Sequence, residues 1–181
     1  LGDSDWQLRW DNTLKYSQAW RLNRADDRLT NAPTANGLFP SIQSQGDKNF
    51  SRGLVSNRLD ILSEMDLSHQ NYGLRLSGAA WYDFVYNDDT DSSEQPHFLS
   101  KTRDLHGRDA ELLDAFVYLR GELGDSSQGV LRLGRHSLVY GESLFYGGNG
   151  IGAAQGPTDV VKLLSVPGTQ FKEILRPVNQ I

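Results

Sequence analysis

The chain has 181 residues, no cysteine and a formal net charge of −5. The length is sufficient for one domain with a sizeable core. The lack of cysteine excludes a disulfide framework, thiol catalysis and thiolate metal sites. The negative charge, without a run of Lys or Arg, argues against a nucleic-acid surface. No apolar run approaches the roughly 20 residues of a membrane helix, so the chain could span a membrane only as a closed barrel of strands.

A long alternation of apolar and polar residues near the start of the chain predicts a β-strand over residues 6–22. Its even positions form a mostly apolar face: Trp6, Leu8, Trp10, Asn12, Leu14, Tyr16, Gln18, Trp20 and Leu22. Trp10 and Trp20 are roughly 33 Å apart along a strand. A tilt of ~40° projects this to ~25 Å, about the height of the apolar band of an outer-membrane barrel. A soluble amphipathic strand is the alternative.

Further strands are predicted by the same pattern, and the connections between them alternate between long and short. The strands are 58–68, 74–86, 111–123, 130–140 and 169–176. A helix is the alternative for 111–123 because its first residues are good helix formers, and Gly134 suggests a bulge that would change the faces of Arg135 and His136. The long loops are 23–57, 87–109 and 141–168, the last with a helical turn over 159–164 capped by Thr158.

Alternating loop lengths are typical of outer-membrane barrels, which have short periplasmic turns and longer external loops. The sequence therefore predicts an all-β, antiparallel transmembrane β-barrel. Five or six strands are fewer than the eight of the smallest barrels. We therefore expect residues 1–181 to be the amino-terminal portion of a single larger barrel domain. A soluble all-β sandwich is the main alternative.

Several runs of sequence carry a family resemblance that covers nearly the whole chain. They are GLVSNRLD (53–60), SGAAWYD (77–83), AELLDAF (110–116), LRLGRH (131–136), YGESLF (140–145) and SVPGTQFKE (165–173). Together they resemble the amino-terminal part of the proteobacterial domain-of-unknown-function family 1302. The resemblance implies an outer-membrane β-barrel longer than this chain, with a periplasmic or lipoprotein partner and a lipid-exporter-like inner-membrane pump. It also implies transport of a hydrophobic or lipid-like compound, and it carries over no catalytic residue.

No motif in the chain completes a catalytic or cofactor site. The run beginning at Gly141 lacks the second glycine of a nucleophile elbow, and the glycines of 148–153 lack a surrounding βαβ unit. The acidic loop of Asp88, Asp89, Asp91 and Glu94 lacks calcium-loop spacing, and the four histidines lack metal spacing. We therefore predict no enzyme activity, no cofactor and no metal.

Charged residues on the polar faces of the strands are the candidates for lining a lumen. They are Arg9, Arg58, Asp60, Glu64, Arg75, Asp83, Asp114, Arg120, Arg132 and His136. They either cross-link and hydrate the interior or bind substrate. The opposite faces are predicted to meet outer-membrane lipid through Trp10, Leu14, Tyr16, Trp20, Ile61, Leu76, Phe84, Val117 and Leu131, and Leu113 is placed with them by its alternation.

The glycine-rich loop 141–168 carries apolar residues that need burial, which predicts that it folds into the barrel and narrows it. Its constriction candidates are Glu142, Phe145, Tyr146 and Asn149. A loop packed outside the mouth is the alternative. The barrel pattern, the family resemblance and the lack of a complete catalytic constellation together predict a porin-like outer-membrane channel or conduit. The rival functions are a structural or assembly component of an envelope complex and a soluble all-β ligand-binding module.

Overall fold

A computed structural model describes residues 5–30, 45–124, 127–137, 157–165 and 171–180. Its strands are β1 (Trp6–Arg21), β2 (Gly53–His69), β3 (Tyr72–Asp83), β4 (Arg108–Glu122), β5 (Gln128–His136) and β6 (Val178–Gln180). Its short helices are α1 (Asp27–Thr30), α2 (Gln45–Lys48), α3 (Ser100–Thr102), α4 (Val160–Ser165) and α5 (Phe171–Ile174). A π-helical turn, Arg103–Gly107, follows α3. Within these residues, no helix has the length and apolar character needed to cross a membrane.

The six strands form one antiparallel sheet in the order β1-β2-β3-β4-β5-β6. Each strand therefore pairs with its neighbours in sequence. The prediction of an all-β antiparallel fold is confirmed. Residues 111–122 lie in β4 rather than in a helix, and the predicted last residue, Leu123, lies beyond the strand. The described strands do not close into a barrel, because β1 and β6 are the edges of the sheet. Only Gln70 and Asn71 join β2 to β3, which is the connection of a tight hairpin.

The ends of β2 and β3 differ from the prediction. β2 begins at Gly53 rather than at residue 58, so the loop assigned to 23–57 is shorter. β3 ends at Asp83 rather than at residue 86. Its carboxylate accepts the backbone N–H groups of Val85, at 2.9 Å, and Tyr86, at 3.4 Å. Side-chain to backbone bonds of this kind favour a turn over continued pairing, so Phe84 lies beyond the strand.

The predicted strand over 169–176 is wrong. Residues 171–174 form α5, and the strand that joins the sheet is β6, which pairs with β5 from Val178↔His136 to Gln180↔Gly134. Glu173, Ile174 and Leu175 are buried in succession, which an alternating strand does not allow. In α4, the Lys162 N–H donates to Asp159 Oδ1 at 3.1 Å, so Asp159 is the cap rather than the predicted Thr158.

The faces of β4 also differ from the prediction, because the alternation of buried and exposed residues shifts by one position within the strand. Leu113, expected on the apolar face, is 3% exposed and packs with Leu62 and Ala79 in the core cluster. Phe116 is buried as well, although regular alternation would place it on the opposite face from Leu113. A one-residue irregularity of this kind moves every following side chain to the other face. The result is that Leu113 and Asp114 both make contacts on the buried side.

The contacts of the chain divide it into two units. The first comprises Leu1–Leu14, Ile61–Ala80 and Ala110–Ile181, and its core is the cluster of Leu62, Ala79 and Leu113. The second comprises Lys15–Asp60 and Trp81–Asp109. It holds an aromatic cluster whose ring centroids lie 4.9–5.6 Å apart, formed by Phe50, Tyr86, Phe98 and His106.

Gly134 does not form the predicted bulge. The β4–β5 register is unbroken from Ala115↔Arg135 to Glu122↔Gln128. Gly134 instead has a φ of +129°, which side-chain-bearing residues rarely adopt. A Cβ there would lie 2.9 Å from Phe116 Cα and closer still to the Ala115 carbonyl oxygen. The strand therefore requires glycine at this position.

The Gly134→Ala variant should lower the free energy of unfolding by ~1–3 kcal/mol, because it combines an unfavourable φ with a backbone clash. Gly121→Ala on β4 is the matched control, since no atom lies within 4 Å of its added Cβ. Urea unfolding followed by tryptophan fluorescence measures both. Equal stability of the two variants would contradict the assignment.

Candidate functional site

Arg75 is the centre of a charged cluster on the buried face of the first unit. Its guanidinium donates to Glu64 at 2.7 Å, to Asp66 at 2.8 Å and to Asp114 at 3.4 Å. Asp114 is also held by Ser77, whose hydroxyl accepts the Asp114 N–H at 2.9 Å. The three carboxylates come from β2 and β4, and Arg75 lies on β3 between them. One cation therefore joins three strands, which is the arrangement expected of a planar donor with several N–H groups.

A second charged cluster joins β4 to the segment that follows β5. We call the described residues 157–165 and 171–176 the strap. The Lys162 ammonium is ion-paired with Glu111 of β4. Arg176 donates to Asp159 at 2.8 Å, and its guanidinium lies 3.8 Å from Glu111. These ion pairs join two cations and two anions, of which Lys162 and Asp159 are 5% and 8% exposed.

Backbone contacts hold the two parts of the strap together. Thr158 and Leu175 form an antiparallel bridge. Beside it, the Asp159 N–H donates to the Ile174 carbonyl at 2.8 Å, and the Arg176 N–H donates to the Pro157 carbonyl at 2.8 Å. Ile174 and Leu175 are buried. The strap is therefore a folded element packed on the sheet.

A third charged group lies in the second unit. Arg58 donates to Asp60 at 2.8 Å and to the His106 carbonyl at 3.2 Å, and its guanidinium carbon lies 5.2 Å from the centre of the Trp81 ring. Lys15 of β1 lies 3.5 Å from Asp60. Arg58 is 4% exposed, so its charge is compensated by a carboxylate, a carbonyl and an aromatic face.

Asp83 is a predicted lumen residue that the structure places in a turn network instead. It is 1% exposed and accepts the Ser56 hydroxyl at 2.5 Å and the Asn57 N–H at 3.2 Å. These bonds explain why β3 ends there. Nearby, burial raises the pKa of Tyr86 above its ordinary value; the Asp83 carboxylate adds to this shift and Arg58 opposes it.

The remaining lumen candidates are not brought together into one site. Arg9 is exposed and bonds to Asp11. Arg120 lies 4.9 Å from the Tyr118 ring centre, and Arg132 lies 5.6 Å from that of Phe116. His136 is 2% exposed and packs 5.3 Å from Phe116. The constriction candidates Glu142, Phe145, Tyr146 and Asn149 lie outside the described residues.

The acidic loop after β3 is bonded to the loop before β2. Two hydrogen bonds from Ser51 lower the pKa of Asp91. The bond from the Ser51 hydroxyl has the larger effect, and the bond from its backbone N–H has the smaller one. The Lys48 ammonium donates a hydrogen bond to the Glu94 carboxylate at 2.9 Å and lowers the pKa of Glu94. These contacts connect the two loops. Among the described residues, no group of three or more His, Cys, Asp or Glu could hold a metal ion.

The face opposite the charged clusters is apolar and exposed. On β1, Trp10, Leu14, Tyr16 and Trp20 are 59–69% exposed. The same face contains a groove of about 390 Å³ whose lining is almost entirely apolar. Its lining includes Trp6, Leu67, Tyr72, Leu74, Val117, Leu119, Leu131 and Leu133. The sheet thus has one apolar surface and one surface of paired charges.

This architecture defines a class of protein: an amphipathic antiparallel sheet with a helical strap packed on its charged side. The chain belongs to the family described as a protein of unknown function, DUF1302, whose model matches residues 1–181. The predicted family membership is confirmed. No curated protein and no solved structure matches the chain.

Sequence reasoning missed the network of Glu111, Asp159, Lys162 and Arg176. Glu111 and Leu113 are two positions apart, so regular alternation places them on the same face of the strand. A charged residue on the face predicted to be apolar could have indicated that β4 reverses its faces. Asp159 directly precedes a helical pattern, where an acidic residue is a good cap. No local signal connects either residue to Lys162, because the pairing depends on how the strap packs.

The Arg75→Met variant should lower the free energy of unfolding by about 1.5–3 kcal/mol, because it leaves three neighbouring carboxylates without their shared cation. Arg9→Met is the control for the same substitution in an exposed pair, where a cost of ~0–1 kcal/mol is expected. Urea titration at neutral pH measures both. If Arg75→Met proved no more costly than Arg9→Met, the cluster would not stabilise the sheet.

Proposed function

We propose that this chain forms part of the wall of an outer-membrane β-barrel that acts as a passive channel or conduit. The observation that carries the proposal is the separation of the two faces of the sheet. An exposed apolar face suits contact with lipid, and a face of paired charges suits the interior of a barrel. Such a barrel needs further strands at the open edges of β1 and β6, because unpaired backbone groups are not tolerated in lipid.

The strap supports a hydrophobic or lipid-like compound as the cargo. Val160, Leu163 and Leu164 of α4 are 56%, 54% and 78% exposed, while Lys162 of the same helix is buried toward β4. In a closed barrel, these apolar side chains would point into the interior. They would offer an apolar surface beside the charged wall. Transport of such a compound from an inner-membrane pump through a periplasmic or lipoprotein partner is part of this proposal.

A structural or assembly role in an envelope complex is the second candidate. The observation that favours it is the mutual pairing of the buried charges. Arg75 is already bonded to three carboxylates, and Arg58 to Asp60 and the His106 carbonyl. Charges that satisfy one another cross-link a wall without binding a solute. The two candidates differ in whether the barrel conducts.

Two adjacent positions on β1 test the membrane assignment. Leu14 and Thr13 lie on opposite faces, and both are exposed in the open sheet. In the full-length protein in lipid bilayers, Leu14→Arg should lower the free energy of unfolding by ~2–4 kcal/mol, while Thr13→Arg should cost much less. Unfolding in urea from vesicles measures the difference. A soluble sheet would tolerate both changes alike, and equal tolerance would therefore refute the assignment.

Conductance tests the transport assignment. The full-length protein, inserted into planar lipid bilayers in potassium chloride, should produce discrete ion-conducting steps, because a barrel with a charged interior holds water. Insertion is verified independently by protection of the protein from added protease. Protein that is inserted and protected but never conducts would favour the structural role.

A further inference from the structure

We propose that Arg120 and Arg132 bind the anionic headgroup of an amphiphilic cargo, at the end of the sheet where β2 turns into β3. This inference rests on the proposed function, and it names the chemistry of the compound that the conduit takes. Three features of the molecule support it. They are two cations without a carboxylate partner, an aromatic ring that holds both on one face, and a pocket that combines charge with an apolar side chain.

The arginines on the charged side of the sheet are of two kinds. Arg58 and Arg75 are paired with carboxylates. Among the described residues, no carboxylate is ion-paired with Arg120 or Arg132, whose guanidinium carbons lie 4.9 Å and 5.6 Å from the centres of aromatic rings. A ring attracts a cation but offers no oxygen to its N–H groups. Both guanidinium groups therefore have N–H donors that an anion can use.

The ring of Tyr118 lies between the two arginines. Although the lumen candidates as a set are dispersed, Arg120 is two positions from Tyr118 on β4, and Arg132 is directly opposite Tyr118 on β5. All three residues therefore share one face, and the two arginines are diagonal neighbours roughly 7–8 Å apart. Two like charges at this distance repel each other. An anion bound between them removes the repulsion and can accept hydrogen bonds from both side chains.

Gly73 fixes the position of the Tyr118 ring. A Cβ at Gly73 would lie 2.5 Å from the ring carbon that bears the hydroxyl, so the ring packs directly against the Gly73 backbone. Gly73 and Arg75 are two positions apart on β3, which places the ring and its arginines on the charged side of the sheet. The support for the two cations is therefore formed before any ligand binds, which lowers the entropic cost of binding.

A pocket of about 410 Å³ lies beside Arg120. Its lining includes Glu122 and Val130, and Val130 is 55% exposed and directly opposite Arg120 on β5. A headgroup held by the arginines would have this apolar side chain next to the start of its hydrocarbon chain. The pocket therefore suits an amphiphile better than a free anion.

The position of the pocket agrees with a role in uptake of the cargo. The Arg120 N–H donates to the carbonyl of Asn71 at 2.6 Å, and Asn71 belongs to the tight turn between β2 and β3 and also lines the pocket. Short turns of outer-membrane barrels lie on the periplasmic side. In such a barrel, the site would lie where a periplasmic partner delivers the compound.

Calorimetric titration of the full-length protein with octyl phosphate, in a nonionic detergent, tests the site after subtraction of the heat measured with empty micelles. Arg120→Gln and Arg132→Gln should each raise the Kd by about tenfold, the loss expected when a hydrogen bond between charged groups is removed. Arg9→Gln is the matched control, because Arg9 is also exposed but is paired with Asp11. Its Kd should equal that of the native protein.

Two further variants make the test independent of protein folding. Arg132→Lys keeps the charge but loses the planar set of donors, so its Kd should lie between those of the native protein and Arg132→Gln. Glu122→Gln removes a carboxylate from the pocket and should lower the Kd by roughly twofold to threefold. Weaker binding by Glu122→Gln would indicate a site for cations and would contradict the proposal.

The outcomes separate the binding site from the conduit. An equal Kd for the native protein, Arg120→Gln and Arg132→Gln would overturn the site, even if the barrel conducts ions. Inorganic phosphate or 1-octanol bound as tightly as octyl phosphate would overturn the assignment to an anionic amphiphile, because each has only half of its chemistry. Binding that depends on both arginines, in a protein that never conducts, would support the site while the conduit fails.

Discussion

Pairing of buried charge is the constraint on which the rest of this structure depends. A charge removed from water is costly unless an opposite charge or several hydrogen bonds replace the solvent. Arg75 meets this requirement with carboxylates from two neighbouring strands, and Lys162 meets it with Glu111. Since the partners belong to different elements, each pair fixes a strand to a strand or the strap to the sheet. The charged side is therefore a set of cross-links as much as a polar surface.

The apolar face is subject to the opposite requirement. Large side chains such as Trp10 and Leu14 are 66% and 69% exposed on a strand whose other face is polar. In soluble proteins, a contiguous exposed surface of large apolar side chains usually marks a binding surface. In a bilayer, the same area would be in its preferred solvent and the ion-paired face would be shielded by the wall itself. The two faces are therefore linked: if one face meets lipid, the charges on the other have to be paired or hydrated.

The fold was predictable from the sequence where the pattern is local. Strict alternation is sufficient to place β1 and the middle of β2, because each side chain's face follows from its parity. The prediction fails at Leu113, where one irregular residue reverses the faces, and at residues 171–174, which form a helix instead of a strand. The Arg75 cluster was partly predictable, since its members lie on polar faces. The Glu111–Lys162 pair was not, because its partners are 51 positions apart and meet only through packing.

The two kinds of contact within the first unit imply different mechanical properties. The cluster of Leu62, Ala79 and Leu113 is apolar and lies within the sheet, so it resists opening at all times. The strap's contact with β4 is polar: Lys162 pairs with Glu111, which also lies 3.8 Å from Arg176. Paired charges stabilise a contact only in the geometry that brings the partners together. The attachment of α4 to β4 therefore depends on where a few charged atoms lie, whereas the sheet beneath it is held by apolar packing.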